Sequence, residues 1–367
     1  MRLEVLLDNP TEGLRLSSPR TWAGLSRICA ASITSLESDI DLACQLGDNF
    51  AVMDRSVVKF VCDRNHIDAA GIGQAALTIL PLSILSFARV KYHMSPTKAD
   101  TFSQNRAVGS VAFNLHNFNG TMRRGMLAES GSLRVRFPSS DVEGLSAVFI
   151  NTAGGVAGGD RFDVDISADV NSQLTVTTAA AEKIYRSHGS DALLSVSIRA
   201  GEGAHVAWLP QETILFDQAR VRRQIDLDLA ETASILFCEM VVFGRTAMGE
   251  SLRRGKFLDC WRLRRGGRLL FAENVRLDGN LEELLSNRAV TNGRVAVGTI
   301  LVVPGDESIA ERIRDMSECF RGDVGVSSWN GFAMVRFCAQ DAAQLRADAI
   351  TVLSNVSRSG LPRSWFQ

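Results

Sequence analysis

Short stretches in which apolar and polar residues alternate recur from Val108 to Val303, and Gly, Asn, Asp and Pro separate them. Alternation is typical of a strand with one face in the core and the other in solvent. Turn signals recur roughly every 10 residues without a long amphipathic helix between them, which favours stacked antiparallel or coiled sheet layers over βαβ units. The pattern predicts strands at Leu133–Phe137, Ala147–Ile150, Phe162–Ile166, Leu174–Thr178, Leu193–Ile198, Val221–Leu229 and Val295–Val303.

Helical periodicity appears toward the C-terminus. Asp306 follows a Pro-Gly pair as a helix N-cap, and apolar residues then recur at helical spacing, which predicts a helix through Arg321. Apolar residues also share one side of Asp341–Ser354, and Leu281–Asn287 is a short third candidate. The fold class is therefore mainly β, a body of stacked or coiled sheet with a few α-helices toward the C-terminus.

The first hundred residues show no comparable strand pattern. Ala69–Ala88 is uncharged for twenty residues and precedes Arg89, so its length would just span a bilayer. Polar residues within it favour instead a buried or poorly ordered segment, and a third alternative is that Met94 is the natural start. We therefore divide the chain into an N-terminal extension of unknown role, 1–103, and a folded domain, 104–367.

Composition narrows the class of function. The 367 residues are 46% hydrophobic, enough for a sizeable core, and 40 Lys and Arg against 41 Asp and Glu leave a net charge of -1. No global basic surface exists to collect nucleic acid or an anionic membrane by charge, so neither is an expected partner. Seven cysteines without a C-x-x-C pair indicate reduced, mostly buried thiols and a cytoplasmic location.

Four stretches contain the candidate chemistry. Asn151–Asp160 has four glycines but neither a P-loop nor a dinucleotide-binding spacing, which favours a tight turn in which Asp160 holds a cation or caps the turn. The next, Leu174–Ser187, ends a strand in hydroxyls and basic residues that suit an anion or a solvated rim. In the others, carboxylates stand among large apolar residues and need polar partners. These two stretches are Trp208–Phe216 (WLPQETILF) and Glu239–Glu250 (EMVVFGRTAMGE).

Catalytic and metal-binding signatures are lacking in the sequence. Its five histidines are scattered without an H-x-H or H-E-x-x-H spacing, and no G-x-S-x-G elbow is present. The pattern therefore disfavours an enzyme.

The order of motifs over about residues 106–365 resembles the UreD (UreH) family of urease accessory proteins. Each motif is weak alone, but five or six of them in the family's order form a specific pattern. They are NTAGGVAGGD, LTVTTAAAEKIYRS, WLPQETILFDQA, FGRTAMGE, WRLRRGGRLLFAE and LPRSW.

The resemblance implies a helically coiled, mainly β chaperone without catalytic activity. Such a protein binds apo-urease, recruits UreF and through it the GTPase UreG, and supports Ni²⁺ delivery through an internal polar tunnel. It implies no tightly bound cofactor, only Ni²⁺ in transit. We predict that the nickel route contains Asp160, Thr178, Gln211, Glu212, Glu239 and Arg245.

Weak oxygen ligands suit a passing ion, because a tight His/Cys site would trap it. The competing interpretation of the embedded carboxylates is that they satisfy one another in the core.

The resemblance also implies a UreF surface at Asp341–Trp365. The predicted partner-binding residues are Arg186, Leu361, Pro362, Arg363 and Trp365. Two functions of other classes remain open at the level of sequence. One is a hydrolase acting on a small anion, and the other is a metal-independent β-structured interaction module.

Overall fold

The structure of the chain is a computed structural model. It describes residues 106–139, 143–187, 189–245 and 248–366, together with the backbone of five strands nearer the N-terminus. The chain divides into two compact units, Met1–Gln104 and Asn105–Gln367.

The N-terminal unit contains an antiparallel sheet with the strand order β1-β5-β4-β3-β2. The uncharged segment Ala69–Ala88 supplies β4 and the first residues of β5, and its other residues lie outside the described part. Among the described helices, none has the length and apolarity needed to cross a membrane. The five strands are β1 (Leu3–Leu6), β2 (Asn49–Met53), β3 (Ser56–Ile67), β4 (Ile72–Leu80) and β5 (Ser86–His93).

The second unit is mainly β. Its first strands are β6 (Val108–Phe118), β7 (Thr121–Gly131), β8 (Leu133–Arg136), β9 (Leu145–Asn151), β10 (Arg161–Ala168), β11 (Gln173–Thr178), β12 (Glu182–Ile184), β13 (Ala192–Ala200) and β14 (His205–Trp208). The later strands are β15 (Thr213–Leu215), β16 (Arg220–Leu229), β17 (Ser234–Phe243), β18 (Arg254–Arg265), β19 (Arg268–Asn280), β20 (Ala296–Val303), β21 (Asp323–Trp329) and β22 (Phe332–Ala339). The helices are α1 (Leu281–Ser286), α2 (Glu307–Arg314) and α3 (Ala342–Val356), with 3₁₀ turns at Ser317–Cys319 and Arg363–Phe366.

The chain passes back and forth between two sheets. In one, β9, β11, β14 and β17 are parallel neighbours, and in the other β10, β13, β16 and β18 are parallel neighbours. Consecutive strands therefore form coils stacked on one another, with Leu145, Leu174, Val206 and Ile235 side by side at one level. The helically coiled, mainly β fold with helices toward the C-terminus is confirmed.

Alternation along each strand produces the core between the sheets. In β16 the buried positions are every second residue, among them Val221, Ile225 and Leu227. In the same core the Phe237 and Trp261 rings meet each other edge to face at 5.0 Å. Burying such large side chains is the main stabilising contribution to the fold. All seven predicted strands are present, with ends that differ by at most two residues from those predicted.

The helices are partly as predicted. Asp306 and Asp341 are N-caps, accepting from the backbone N–H groups of Ile309 at 3.3 Å and Gln344 at 2.8 Å. The helix expected through Arg321 is wrong in length, because α2 ends at Arg314 and a 3₁₀ turn follows. Its later apolar residues still pack against the core beneath α3, and that contact does not require a continuous helix.

Three short elements form a further parallel row that branches from β17 of the ten-stranded sheet. Val156 bridges Ile184, β12 pairs with β15, and β15 pairs with the end of β17. This row lies at the turns of the coils, where the glycine-rich segment Asn151–Asp160 joins β9 to β10. That segment is a turn between two strands, as predicted.

The four described cysteines are free thiols. Only Cys238 is buried, whereas Cys260 and Cys338 are half-buried and Cys319 is exposed. The expectation of mostly buried thiols is therefore wrong for this part of the chain, because Cys260 and Cys338 stand on strands at positions that the core does not cover.

Candidate functional site

A cavity of about 560 Å³ lies between the two sheets, where β16, β18 and β19 face β17, β20 and β22. Most of its wall is apolar. Its polar groups come from different strands and converge on the same space. They are Arg223, Glu239, Asp259, Glu273, Thr299, Asp323 and Arg336.

A buried arginine joins two of the carboxylates. The Arg223 Nε donates to Asp259 Oδ1 at 2.9 Å and an Nη donates to Oδ2 at 2.5 Å, so the pair is bidentate. The other Nη forms an ion pair with Glu239, which also accepts from Trp208 Nε1 at 2.8 Å. All three charged side chains are at most 6% exposed. Three consecutive strands, β16, β17 and β18, thus supply one buried network.

Burial and pairing act against each other in this network. Burial raises the pKa of Glu239, and Arg223 and the Trp208 hydrogen bond offset only part of that effect. Burial opposes the charge of Arg223, but Asp259 and Glu239 outweigh it and raise its pKa above the ordinary value. The guanidinium therefore keeps its charge.

A second ion pair lies on the same wall. Arg336 on β22 pairs with Glu273 on β19 and donates to the Thr299 hydroxyl at 2.8 Å. Asp323 also lines the cavity and forms an ion pair with Arg294 at 2.6 Å. With the first network this makes four carboxylates against three guanidinium groups, Arg223, Arg336 and Arg294, so these paired groups have one carboxylate in excess. Such an interior attracts a cation more than an anion.

A family model described as UreD urease accessory protein matches residues 107–365 of the chain. The chain belongs to the UreD family. The match covers the two-sheet unit from the start of β6 to the terminal 3₁₀ turn.

Relatives agree with the family match. A urease accessory protein UreD of Rhodopseudomonas palustris strain BisB18 is 61% identical over 273 residues, which cover 74% of this chain and 99% of the relative. Another, from Bradyrhizobium diazoefficiens strain USDA 110, is 62% identical over 265 residues, which cover 72% of this chain and 96% of the relative. A UreD family member is an accessory chaperone of urease maturation and nickel metallocentre assembly, not an enzyme. Neither alternative, the hydrolase or the metal-independent module, describes this family.

Of the residues predicted for the nickel route of this UreD family member, Glu239 lines the cavity. Asp160 is also buried, but its two oxygens accept from the backbone N–H groups of Ala107 at 2.9 Å and Ala157 at 2.7 Å. It therefore caps the glycine-rich turn, one of the two roles that the sequence left open for it.

Thr178, Gln211 and Glu212 lie together at another place. The Thr178 hydroxyl accepts from the Gln211 backbone N–H at 2.9 Å, and Glu212 forms a bidentate ion pair with Arg346 of α3 at 2.8 and 2.7 Å. Arg346 also donates to the Gln211 side chain. Glu212 is thus neutralised on the side of the ten-stranded sheet that α3 covers, whereas Glu239 faces the cavity.

The remaining predicted residues, Arg245 and the partner-binding set, lie in two separate regions of the unit. Arg245 and Arg186 are exposed beside the short parallel row. In the terminal LPRSW segment, Pro362 and Trp365 are buried, and the Trp365 Nε1 donates to the Leu209 carbonyl at 3.1 Å. Two other residues of the segment reach the surface, Leu361 half-buried and Arg363 exposed.

Sequence reasoning missed the arginines that neutralise these carboxylates, and it missed Asp259 and Glu273. A signal was present for two of them. Arg223 occupies an inward position of β16, between Val221 and Ile225, and Asp259 lies between Phe257 and Trp261 on β18. When a charged residue occupies a position that the alternation of a strand otherwise gives to apolar residues, it indicates a buried ion pair.

A resident metal site is not apparent in the described residues, where no group of three or more His, Cys, Asp or Glu is placed to hold an ion. Burial raises the pKa of the Cys238 thiol well above its usual range and also raises that of Cys338, which lines the cavity. Neutral thiols are poor metal ligands. The cavity therefore offers oxygen atoms to a cation.

Proposed function

We propose that this UreD family member is a urease-maturation chaperone that binds apo-urease and passes Ni²⁺ through the cavity between its two sheets. In this proposal UreF binds the chain and recruits the GTPase UreG. Nickel is cargo, and no tightly bound cofactor takes part. The observation that carries the proposal is the cavity wall, where four carboxylates face three arginines, Arg223, Arg336 and Arg294, in an otherwise apolar space.

The ion pairs suit transit better than storage. A Ni²⁺ ion that approaches Glu239 or Glu273 competes with a guanidinium for the same oxygens, which limits how tightly the ion is held. Oxygen ligands alone also bind divalent nickel less tightly than imidazole or thiolate. Weak binding along the path and a stronger site in the acceptor together favour forward transfer.

The geometry also changes the proposed route. Glu239 remains on it, and Asp259 and Glu273 join it because they share the cavity. Asp160 and Glu212 are engaged by backbone N–H groups and by Arg346, so their contribution to this proposal is structural.

The test replaces cavity carboxylates by their amides. Glu273→Gln keeps the volume of the side chain and removes the excess negative charge, so we expect urease activation at limiting nickel to fall roughly tenfold, the equivalent of about 1.4 kcal/mol of lost cation stabilisation. Glu239→Gln should act in the same direction. The measurement is urease activity after activation by the complete accessory complex.

Glu282→Gln is the matched control, because Glu282 is exposed on α1 outside the cavity lining. Co-purification with apo-urease and UreF shows whether each variant still assembles. Full activation by both cavity variants at limiting nickel would show that the route lies elsewhere.

A further inference from the structure

Three distant segments meet at one exposed corner of the coiled body. Ile184, Leu215 and Phe243 stand side by side in the short parallel row, so the residues that follow each of them emerge together. Two of the emerging residues are Tyr185 and Phe216. We name the whole group the aromatic corner, and its members are Lys183, Tyr185, Arg186, Phe216, Arg245 and Met248.

The aromatic corner is held rigidly. The Tyr185 ring meets the Phe216 ring edge to face at 5.1 Å, and the Arg245 guanidinium lies 4.3 Å from the centroid of the Phe216 ring. The Tyr185 hydroxyl donates to the Gly154 carbonyl at 2.7 Å. A Cβ on Gly155 would lie 2.4 Å from the Tyr185 ring, so only glycine allows this close approach.

The carboxylates near the corner are used internally. Glu250 pairs with Arg245 and accepts from the Asp217 backbone N–H at 3.0 Å, and Asp217 accepts from the backbone N–H groups of the next strand. Arg186 uses its Nε on the Gln218 side chain at 3.0 Å. Within the described part of the chain, neither Arg186 nor Lys183 forms an ion pair, so their charges face outward.

An apolar group completes the surface. The Met248 side chain follows Arg245 closely along the chain and is 76% exposed. Tyr, Arg and Met are enriched at protein interfaces, and a preorganised aromatic and arginine cluster loses little entropy on binding. Lys183, Arg186, Arg245 and Met248 are exposed and do not fill the core, so the stability of the fold does not account for their grouping around the two half-buried rings.

We propose that the aromatic corner is a docking site for an acidic, partly apolar segment of apo-urease. The outward charges of Lys183 and Arg186 select an acidic partner, and the Phe216 ring and the Met248 side chain take its apolar residue. The inference rests on the proposed function, because it assigns a surface to one of its partners. The predicted UreF surface at Asp341–Trp365 shares no residue with the corner, which leaves the corner for urease.

The experiment measures binding of purified apo-urease to the full chain. We expect the double variant Lys183→Glu/Arg186→Glu to bind at least tenfold more weakly than the wild type, and Met248→Asp several-fold more weakly. Binding by the wild type should weaken as salt rises, and the double variant should lose that salt dependence because salt screens the attraction that it has lost. All of these side chains are exposed, so thermal unfolding should be unchanged.

The matched control is Arg123→Glu/Arg268→Glu, which reverses two exposed charges on β7 and β19 of the seven-stranded sheet, neither of which is a member of the corner. Apo-urease binding should be close to wild type in this control, and UreF binding should be unchanged in every variant. Wild-type binding by the corner variants, equal weakening in the control, or a loss of UreF binding instead would each overturn the inference. If the wild-type chain itself fails to activate urease, the proposed function is wrong. If the wild type activates urease and the corner variants bind apo-urease as the wild type does, only the docking inference is wrong.

Discussion

Arg223 shows how single residues control the interior of this fold. It stands at a buried position of a strand and neutralises two carboxylates from the two strands that follow it. Removing one partner of a buried ion pair typically costs about 3–5 kcal/mol, because the other charge is left without compensation. Glu239 and Asp259 therefore depend on this arginine for their compensating charge.

His205 is a half-buried titratable residue outside the cavity. Its Nδ1 is 2.9 Å from the Ser234 hydroxyl, and its Nε2 is buried with no hydrogen-bond partner among the described residues. Burial lowers the pKa of His205 to about 4 from an ordinary value of 6.5, with a smaller contribution from Arg358. The folded state therefore keeps the imidazole neutral.

This lowered pKa predicts a loss of stability in acid. The stabilisation that the neutral His205 side chain contributes is complete above about pH 6.5 and is lost as the pH falls toward about 4. The reason is that His205 of the unfolded chain binds a proton at a higher pH than His205 of the folded chain. We expect up to about 3 kcal/mol of the free energy of unfolding to disappear over that interval. In His205→Asn, which can keep the bond to Ser234, urea denaturation between about pH 7 and pH 4.5 should show a flatter dependence. If the free energy of unfolding of His205→Asn depends on pH as steeply as that of the wild type, other titratable groups cause the loss of stability in acid.

The sequence predicted individual carboxylates better than their partners. Glu212 and Glu239 are recognisable because each stands among large apolar residues. Arg346, which neutralises Glu212, is 134 positions away, and nothing in the helical pattern of α3 indicates which carboxylate it pairs with. Pairs formed across such distances depend on the coiling of the chain, which local pattern does not specify.

At the scale of elements, α3 and the terminal 3₁₀ turn close the outer side of the ten-stranded sheet. Leu345, Ala349 and Val352 of α3 are buried against that sheet, and Trp365 is 1% exposed. Arg346 reaches the Trp365 carbonyl at 3.3 Å and lies 5.7 Å from its ring. The C-terminal segment is therefore part of the fold.

This packing predicts a large loss of stability in Trp365→Ala. We expect the free energy of unfolding to fall by about 3–5 kcal/mol, the usual cost of truncating a buried aromatic residue. The neighbouring Phe366→Ala is the control, because Phe366 is 65% exposed and should change stability little. Urea denaturation of both variants checks the prediction, and equal stabilities would contradict it. A truncation after Ser354 removes this anchor and so tests folding together with UreF binding.

Strands long enough to show several alternations of apolar and polar residues are predictable from the sequence, whereas shorter strands are not. The three-residue strands β12 and β15 are too brief to show a pattern, although they build the aromatic corner. The helix that begins after Asp306 was extended too far, because Met316 and Phe320 continue its apolar spacing without continuing its hydrogen bonds.

For the whole molecule, the parallel coils end in antiparallel strands. β7 pairs antiparallel with β6 and β19 with β18 at the two edges of the seven-stranded sheet, and β21 and β22 extend the ten-stranded sheet. The sequence did not distinguish coiled from stacked antiparallel layers, since the lengths of successive coils differ and leave no fixed repeat. The family resemblance supplied that distinction.

The extent of the family match predicts what the N-terminal residues contribute. The matched residues 107–365 lie within the unit Asn105–Gln367, which has its own cores. We expect a chain that begins at Met94 to unfold at the same temperature as this unit in the full chain and to activate urease at the full level. Thermal unfolding and a urease-activation assay in a strain that lacks the chaperone measure this. Failure to activate, with the fold intact, would give the first hundred residues a function.

The network of Arg223, Glu239 and Asp259 also limits how the family can vary. Its three members stand on successive strands, each in a different pass of the chain, yet both carboxylates pair with the same arginine. A neutral residue in place of the arginine leaves two buried anions uncompensated, so such a change is tolerated only when both acids are replaced with it. The three positions should therefore covary among UreD sequences.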